Sequence, residues 1–287
     1  MRLPGRCVRT AAGGLLRLGA ALAATVLLHG TVGAADPAGT PADSTARGIA
    51  RYREAVADSN PGELWEVRGE ALWTERRGPR NVSLEGCDLG KGPGVVDGAY
   101  ALLPRYFADV DRVMDLETRL LHCMMTLQGF TRAQALRRPF GAGALRSDFE
   151  ALAAWIAGRS RGLEMDPPQV WPKEIEAYRL GRSLFFVRAG THDFACHTCH
   201  GQSGRRIRLQ ELPDLLDPAS VRAIYGSWPA YRVSQGEMRT LQWRMNDCFR
   251  QQRLPELVFG SDVSVALITF LAVNARGGIV DAPGVRR

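Results

Sequence analysis

The sequence predicts a mostly helical protein built from two similar domains. Two stretches match at a constant offset of 125 residues without a gap, which indicates an internal repeat. Long segments show helical periodicity, while strand signals are sparse. The matched positions are Leu103-Pro104-Arg105-Tyr106 with Trp228-Pro229-Ala230-Tyr231, Leu116 with Leu241, Arg119 with Arg244, and Cys123 with Cys248.

Each predicted domain begins and ends with a helix. Helical periodicity with aromatic residues runs over 63–75 and over 174–188. Ser147-Asp148 opens an apolar helix to residue 157, and Ser261-Asp262 opens another to residue 273. Ser and Asp are expected at these starts because their side chains cap free backbone N–H groups.

Prolines at positions 167 and 168 break helix and place a connecting segment at 162–172. The predicted domains are therefore residues 48–160 and 161–287. Residues 36–47, rich in Ala, Pro, Thr and Asp, predict a flexible N-terminus.

Residues 1–35 predict a secretory signal peptide. Arginines at the start, an apolar run over 18–28 and the small residues 32–34 are its three parts. The apolar run is shorter than the roughly 20 residues that span a bilayer, and no later stretch reaches that length. We expect a soluble mature protein in the periplasm, with a retained N-terminal anchor as the alternative.

Composition narrows the function classes. The 287 residues are 45% hydrophobic and 23% charged, which excludes a wholly disordered chain. Without the four arginines of the leader, 33 basic residues remain against 30 acidic ones. That excess is too small to indicate nucleic-acid binding, although a local arginine cluster could bind a small anion.

Five cysteines remain after leader removal, and an odd number means that at least one does more than form a disulfide. Cys196-His197-Thr198-Cys199-His200 is the pattern for covalent attachment of one haem c, with His200 as iron ligand. Zinc would need further ligands, and a thioredoxin-like site would need a βαβ context. The helices at 171–188 and 262–273 fit the terminal pair of a cytochrome c domain.

Cys248 lies in a predicted helix with Arg244 four residues before it, so both side chains share one face. A cation beside a thiol favours thiolate, which is a nucleophile and a strong iron ligand. In the alternative, Cys248 is a buried apolar residue and Met245 or Met238 is the sixth ligand.

Cys87 and Cys123 remain for a disulfide once Cys196 and Cys199 hold haem. The first domain has no attachment motif, yet it has Cys123 at the place equivalent to Cys248. We therefore predict an all-α protein of two tandem cytochrome c-like domains, of which the N-terminal one has lost its haem.

The mature chain resembles the SoxA family, the catalytic cytochrome subunits of the SoxAX complex in bacterial thiosulfate oxidation. The first attachment motif of the two-haem members is missing, so the chain resembles the single-haem form. The residues that carry the resemblance are Cys87-Asp88-Leu89-Gly90, Gly98-Ala99-Tyr100, Leu103-Pro104-Arg105-Tyr106-Phe107, 196–200, and Arg244-Met245 to Cys248.

The resemblance implies that Cys248 is an axial thiolate, often a persulfide, and that Arg244 binds the substrate anion. It implies an L-cysteine S-thiosulfotransferase that joins thiosulfate to a cysteine of the carrier protein SoxYZ and releases two electrons. The cytochrome SoxX is the implied heterodimer partner. A plain electron-transfer cytochrome with His/Met ligation and a non-catalytic scaffold subunit are the alternatives.

Overall fold

A computed structural model describes residues 60–136, 148–207 and 210–286, and a few helical positions between 44 and 55. The predicted signal peptide, most of 36–47 and the predicted cap Ser147 lie outside the described residues. Within the described part, no helix has the length and apolar character needed to cross a membrane.

Nine α-helices are found among the described residues of the main body. They are α1 Glu63–Thr74, α2 Leu116–Thr126, α3 Arg132–Ala135, α4 Asp148–Gly158, α5 Pro172–Phe186, α6 Cys196–His200, α7 Pro218–Tyr225, α8 Leu241–Gln251 and α9 Asp262–Asn274. A short 3-10 helix covers Tyr100–Leu102.

The all-α prediction was incomplete, because short strands accompany the helices. They are β1 Arg105–Phe107, β2 Arg112–Met114, β3 Arg206–Ile207, β4 Gln210–Glu211, β5 Ala230–Arg232, β6 Glu237–Arg239 and β7 Gly284–Arg286. The pairs β1–β2, β3–β4 and β5–β6 are antiparallel, and β7 adds to β5 in parallel. At two or three residues each, such strands leave no clear alternation in the sequence.

Two helix pairs frame the two halves of the body. Helix α1 packs on α4, and α5 packs on α9. A glycine lies at each crossing: a Cβ on Gly69 would overlap the carbonyl oxygen of Ala151, and one on Gly181 would overlap that of Ala266. The absence of a side chain lets the helix backbones approach closely. The two pairs are therefore built in the same way.

The repeat seen in the sequence is a repeat of structure. In each half an antiparallel strand pair, β1–β2 or β5–β6, leads directly into a helix, α2 or α8. The peptide bonds Leu103–Pro104 and Trp228–Pro229 are both cis and precede the first strand of each pair. Asp115 and Thr240 cap the following helices, accepting hydrogen bonds from backbone N–H groups three residues on. The constant offset of 125 residues in the sequence therefore corresponds to strand pairs and helices that recur in the same order in the two halves.

The described residues from Asn60 onwards belong to one compact unit. A buried hydrogen bond from the Tyr100 hydroxyl to the Trp228 carbonyl (2.7 Å) joins the two halves. A second link is the buried ion pair of Arg239 with Glu150 at 3.2 Å. The halves therefore share an interior, and the C-terminal half contains the cavity described next.

Candidate haem and substrate site

The attachment pentapeptide forms its own short helix, α6, directly after a tight loop. The loop is closed by a bridge between Ala189 and Phe194. At the helix start, the Ala195 N–H donates to Thr198 Oγ1 (3.0 Å), which fixes the first turn. Cys196 and Cys199 are both free thiols and are partly buried. Their spacing on one turn suits two thioether bonds to one porphyrin.

His200 is oriented by the chain that follows it. Its Nδ1 donates to the Pro213 carbonyl (2.9 Å), and the Leu215 N–H donates to the His200 carbonyl (2.8 Å). Burial lowers the pKa of the imidazole, so the neutral ring is favoured. With Nδ1 occupied by its hydrogen bond, Nε2 is left to coordinate a metal.

A cavity of about 520 Å³ lies beside this histidine. Its wall combines apolar side chains with a few charged and sulfur-bearing ones. Those that bear on the chemistry are Cys196, His200, Arg232, Arg244, Met245, Cys248 and Arg286. Two free thiols, an oriented neutral imidazole and a large partly apolar space fit a covalently attached haem.

Helix α8 presents the predicted reactive residues to the cavity. Thr240 caps the helix, accepting a hydrogen bond from the Trp243 N–H (3.2 Å). Arg244, Met245 and Cys248 all line the cavity, as their helical spacing predicts. The structure thus brings Cys248 and Arg244 into the space that adjoins Cys196 and His200.

Charge and burial oppose each other at Cys248. Burial raises the pKa of the thiol, and the positive charge of Arg244 acts against that rise without overcoming it. Arg244 donates to Asp247 (3.1 Å), which also receives hydrogen bonds from Arg250 and Gln251. The sequence predicted that a neighbouring cation would favour the thiolate. Arg244 does lower the pKa of Cys248, but burial raises it by more, so the net change favours the thiol.

The structure separates the other candidates. Met238, one alternative sixth ligand, is fully buried and is not among the residues that line the cavity, whereas Met245 is. Arg250 extends to Asp247 and is largely exposed. Sequence reasoning missed Arg232 and Arg286.

A signal for Arg232 was present in the sequence. Position 232 is the repeat equivalent of position 107, so an arginine replaces Phe107 in the half that has the attachment motif. Arg286 follows no such pattern, and only the pairing of its strand with β5 brings it to the cavity.

The structure joins Cys87 and Cys123 in a disulfide, with both residues almost fully buried. Beside it lies a second cavity of about 420 Å³. The Arg119 guanidinium stands 4.1 Å from the Phe107 ring centre and donates to the Asp88 carbonyl and to Asp109, both at 2.7 Å. Arg119, the repeat equivalent of Arg244, is thus ion-paired with a carboxylate, as Arg244 is with Asp247.

The fold and the site define a c-type cytochrome. A family profile described as SoxA/TsdA, cytochrome c domain, matches residues 68–165. The L-cysteine S-thiosulfotransferase subunit SoxA of Hydrogenophilus thermoluteolus is 49% identical over 242 residues, which are 84% of this chain and 88% of the relative. That of Hydrogenobacter thermophilus is 33% identical over 230 residues, 79% and 82% of the two chains. The chain belongs to the SoxA family.

A solved structure supports the same fold. The crystal structure of SoxXA from P. pantotrophus matches with a TM-score of 0.67 at 22% identity, covering 83% of this chain and 84% of the other. The family profile covers mainly the half without the attachment motif.

Proposed function

We propose that this chain is a haem-dependent L-cysteine S-thiosulfotransferase that conjugates thiosulfate to a cysteine of the carrier protein SoxYZ. The observation that carries the proposal is the placement of Cys248 and Arg244 on one helical face, in the cavity that also receives His200 and Cys196. The names of the relatives, subunits of the same enzyme, support it.

Arg244 binds the thiosulfate dianion through its planar guanidinium, because two parallel N–H groups match two oxygens of the sulfonate end. Its hydrogen bond to Asp247 limits the conformations that the guanidinium can adopt. This orientation turns the terminal sulfur of thiosulfate towards Cys248. The apolar part of the cavity wall excludes water from the reacting sulfurs.

In the first step, a bond forms between Cys248 Sγ, as thiolate, and the terminal sulfur of thiosulfate, with the loss of two electrons. A haem held by Cys196, Cys199 and His200 would supply the one-electron redox chemistry that accepts these electrons, together with the partner cytochrome. In the second step, the carrier thiolate attacks the sulfur attached to Cys248. The bond to Cys248 breaks, Cys248 leaves as thiolate and the carrier bears an S-thiosulfonate.

We further propose one haem per chain, held by Cys196 and Cys199, with His200 and Cys248 as iron ligands. The equivalent positions in the first half support this number. Gly69 and Gly181 lie at the equivalent helix crossings of the two halves, and the interval between them equals the interval between Cys87 and Cys199. In this alignment Cys87 occupies the position of the second attachment cysteine. Its disulfide partner Cys123 stands where Cys248 would be.

The first half is thus a cytochrome c-like domain, residues 48–160, that has lost its haem and has a disulfide instead. Residues 161–287 are the haem-binding domain. Separate helix pairs, α1 with α4 and α5 with α9, support the division.

Export and assembly complete the proposal. Residues 1–35 direct the chain to the periplasm, where the disulfide persists and haem is attached. The cytochrome SoxX is the heterodimer partner that passes the electrons on. The similar P. pantotrophus structure is one of SoxXA, which is consistent with this pairing.

The test is the pair of variants Cys248→Ser and Met245→Leu in the haem-loaded complex with SoxX. Both side chains line the cavity from the same helix, so Met245→Leu controls for repacking. Cys248→Ser should abolish thiosulfate conjugation while the haem remains covalently attached, as intact mass shows. Undiminished conjugation by Cys248→Ser would refute the proposal.

The second candidate function is a plain electron-transfer cytochrome, and the presence of Met245 in the cavity wall favours it. Met ligation gives a near-infrared sulfur-to-iron band and a higher potential than thiolate ligation. For that function, Met245→Leu should lose the band, and Cys248→Ser should leave both the band and the electron transfer unchanged.

A further inference from the structure

Two arginines at the same end of two neighbouring strands of a small sheet line the haem cavity. Arg232 ends β5 and Arg286 ends the parallel strand β7, and the two are register partners. Neighbouring strands lie about 4.8 Å apart, and residues in register point to the same face. Both side chains line the cavity. Two guanidinium groups are thereby held side by side, from elements other than the helix that bears Arg244.

Arg232 lacks a compensating partner within the described part of the chain. Its Nε is buried and has no hydrogen-bond partner there, and no salt bridge is found for its guanidinium. Burial lowers the pKa of Arg232 to about 10, and the nearby charge of Arg244 acts in the same direction. Arg232 is partly buried, and a cation that is withdrawn from water without a direct partner is stabilised by an anion bound beside it.

The carboxylate of Asp247, which attracts Arg232, is already engaged by other side chains. Asp247 attracts Arg232 electrostatically, but its hydrogen bonds come from Arg244, Arg250 and Gln251. Both of its oxygens accept from those three groups, and Arg232 is not among the donors. The attraction of Asp247 therefore does not replace a direct partner for Arg232.

Hydrogen bonds near the end of β7 hold the guanidinium of Arg286 in place. Its Nε donates to the Ser227 hydroxyl (3.1 Å), and its Nη2 donates to the Ala223 carbonyl (3.2 Å). These two hydrogen bonds orient the guanidinium of Arg286 in the cavity wall, beside the strand that bears Arg232.

The other half of the chain gives an internal comparison. There, the position equivalent to Arg232 is Phe107, whose ring lies under Arg119, and Arg119 is ion-paired with Asp109. The half with a disulfide thus has a carboxylate-paired arginine over an aromatic ring. The half with the attachment motif has additional positive charge at the same place.

We propose that Arg232 and Arg286 together form an oxyanion-binding site in the haem cavity. The proposal rests on the function proposed above, which places a haem and a sulfur oxyanion in this space. Two ligands share the required chemistry: a propionate carboxylate of the haem and the sulfonate end of the substrate. Paired guanidinium groups bind either through parallel N–H···O bonds.

The test uses the haem-loaded complex with Arg232→Gln, Arg286→Gln and the double variant. Arg206→Gln is the matched control, because Arg206 is exposed, belongs to the same half and does not line the cavity. Three properties are measured: the haem midpoint potential against pH, the thiosulfate KM and kcat, and the binding of sulfate by calorimetry.

If the site holds the substrate, KM should rise about tenfold or more for loss of a charged bidentate contact, and sulfate binding should weaken in parallel. The pH dependence of the potential should then stay as in the natural protein. If the site holds a propionate, removing the positive charge should lower the potential and raise the propionate pKa, which moves the pH-dependent part of the potential curve to higher pH. KM and sulfate affinity should then stay within about twofold of the natural values.

Variants that match Arg206→Gln in all three properties would overturn the proposal. Should Arg232→Gln fail to accumulate, Arg232→Lys keeps the charge without the planar fork and gives a partial change in the same property. Sulfate binding and the potential need no turnover. These two measurements therefore test the arginine site independently of the proposed function. They remain valid even if Cys248→Ser leaves conjugation intact and refutes that function.

Discussion

The backbone N–H of Gln242 donates to Glu117 Oε1 at 3.0 Å, and these two residues occupy equivalent positions in the two halves of the chain. Gln242 Nε2 in turn donates to Asp115 (2.6 Å), the cap of the helix that contains Glu117. The starts of α2 and α8 thus face each other, and each is bonded by a side chain of the other. Because α8 places Arg244 and Cys248 in the cavity wall, the half without the attachment motif helps to hold this part of the cavity in place.

The first prediction concerns Glu117. Its second oxygen, Oε2, has no hydrogen-bond partner among the described residues, and burial, followed by the nearby Asp115, raises its pKa well above the ordinary 4.5. A protonated Glu117 resembles glutamine, so below pH 4.5, where Glu117 is protonated in both states, Glu117→Gln should change the free energy of unfolding by less than about 1 kcal/mol, whereas at pH 7 the variant should be the more stable protein. Glu117→Ala, which leaves the Gln242 N–H unpaired, should cost about 1–3 kcal/mol.

The pH dependence has a definite sign. Above pH 4.5 the unfolded state ionises Glu117, while the folded state keeps its proton because its pKa is raised. The folded state then binds more protons, so the stability of the natural protein falls as pH rises towards the folded pKa. Asp115 and Glu150 have raised pKa values and act in the same direction. Denaturant unfolding at several pH values should show a shallower fall for Glu117→Gln, and a constant difference between the two proteins would contradict the assignment.

The second prediction concerns the helix crossings. In Gly181→Ala the new Cβ would meet the Ala266 carbonyl, which is backbone and cannot rotate away. Such overpacking typically costs about 1–3 kcal/mol, and more where backbone must shift. Thermal unfolding of Gly181→Ala should therefore show a clear loss, and Gly69→Ala should show a similar one. Gly86→Ala is the control, because its nearest neighbour, Leu127, lies 3.8 Å away and its φ is not in the left-handed region.

The third prediction concerns the disulfide. Cys87 and Cys123 are separated by 36 residues, and closing a loop of that size should stabilise the fold by about 4 kcal/mol in the chain-entropy model. Cys87→Ser/Cys123→Ser should lower the free energy of unfolding by that order. The haem content should stay the same, since the attachment cysteines lie in the other half. A loss of haem with unchanged stability would mean that the disulfide acts on the site and not on the fold.

The sequence predicted the repeat, the four framing helices and the helix at 241–251 because each depends on local periodicity or on residues that recur in register. Ser261 illustrates this: it accepts from the Ser264 N–H, as expected of a helix cap. Strands of two or three residues were missed because so few positions show no alternation. Arg286 was missed for another reason, since a parallel strand from the C-terminus brings it to the cavity through a contact that no local pattern encodes.

The fourth prediction concerns the proposed substrate contact of Arg244. In Arg244→Lys a single ammonium replaces the planar fork, so the positive charge stays while two parallel hydrogen bonds to an oxyanion become impossible. The thiosulfate KM should rise about tenfold, since one charged hydrogen bond contributes about 1.5–3 kcal/mol. Arg250→Lys is the matched control, because Arg250 also bonds Asp247 but is largely exposed and does not line the cavity. Equal KM values for the two variants would remove Arg244 from the binding site, whereas a rise confined to Arg244→Lys would show that the geometry of its guanidinium, and not positive charge alone, holds the substrate.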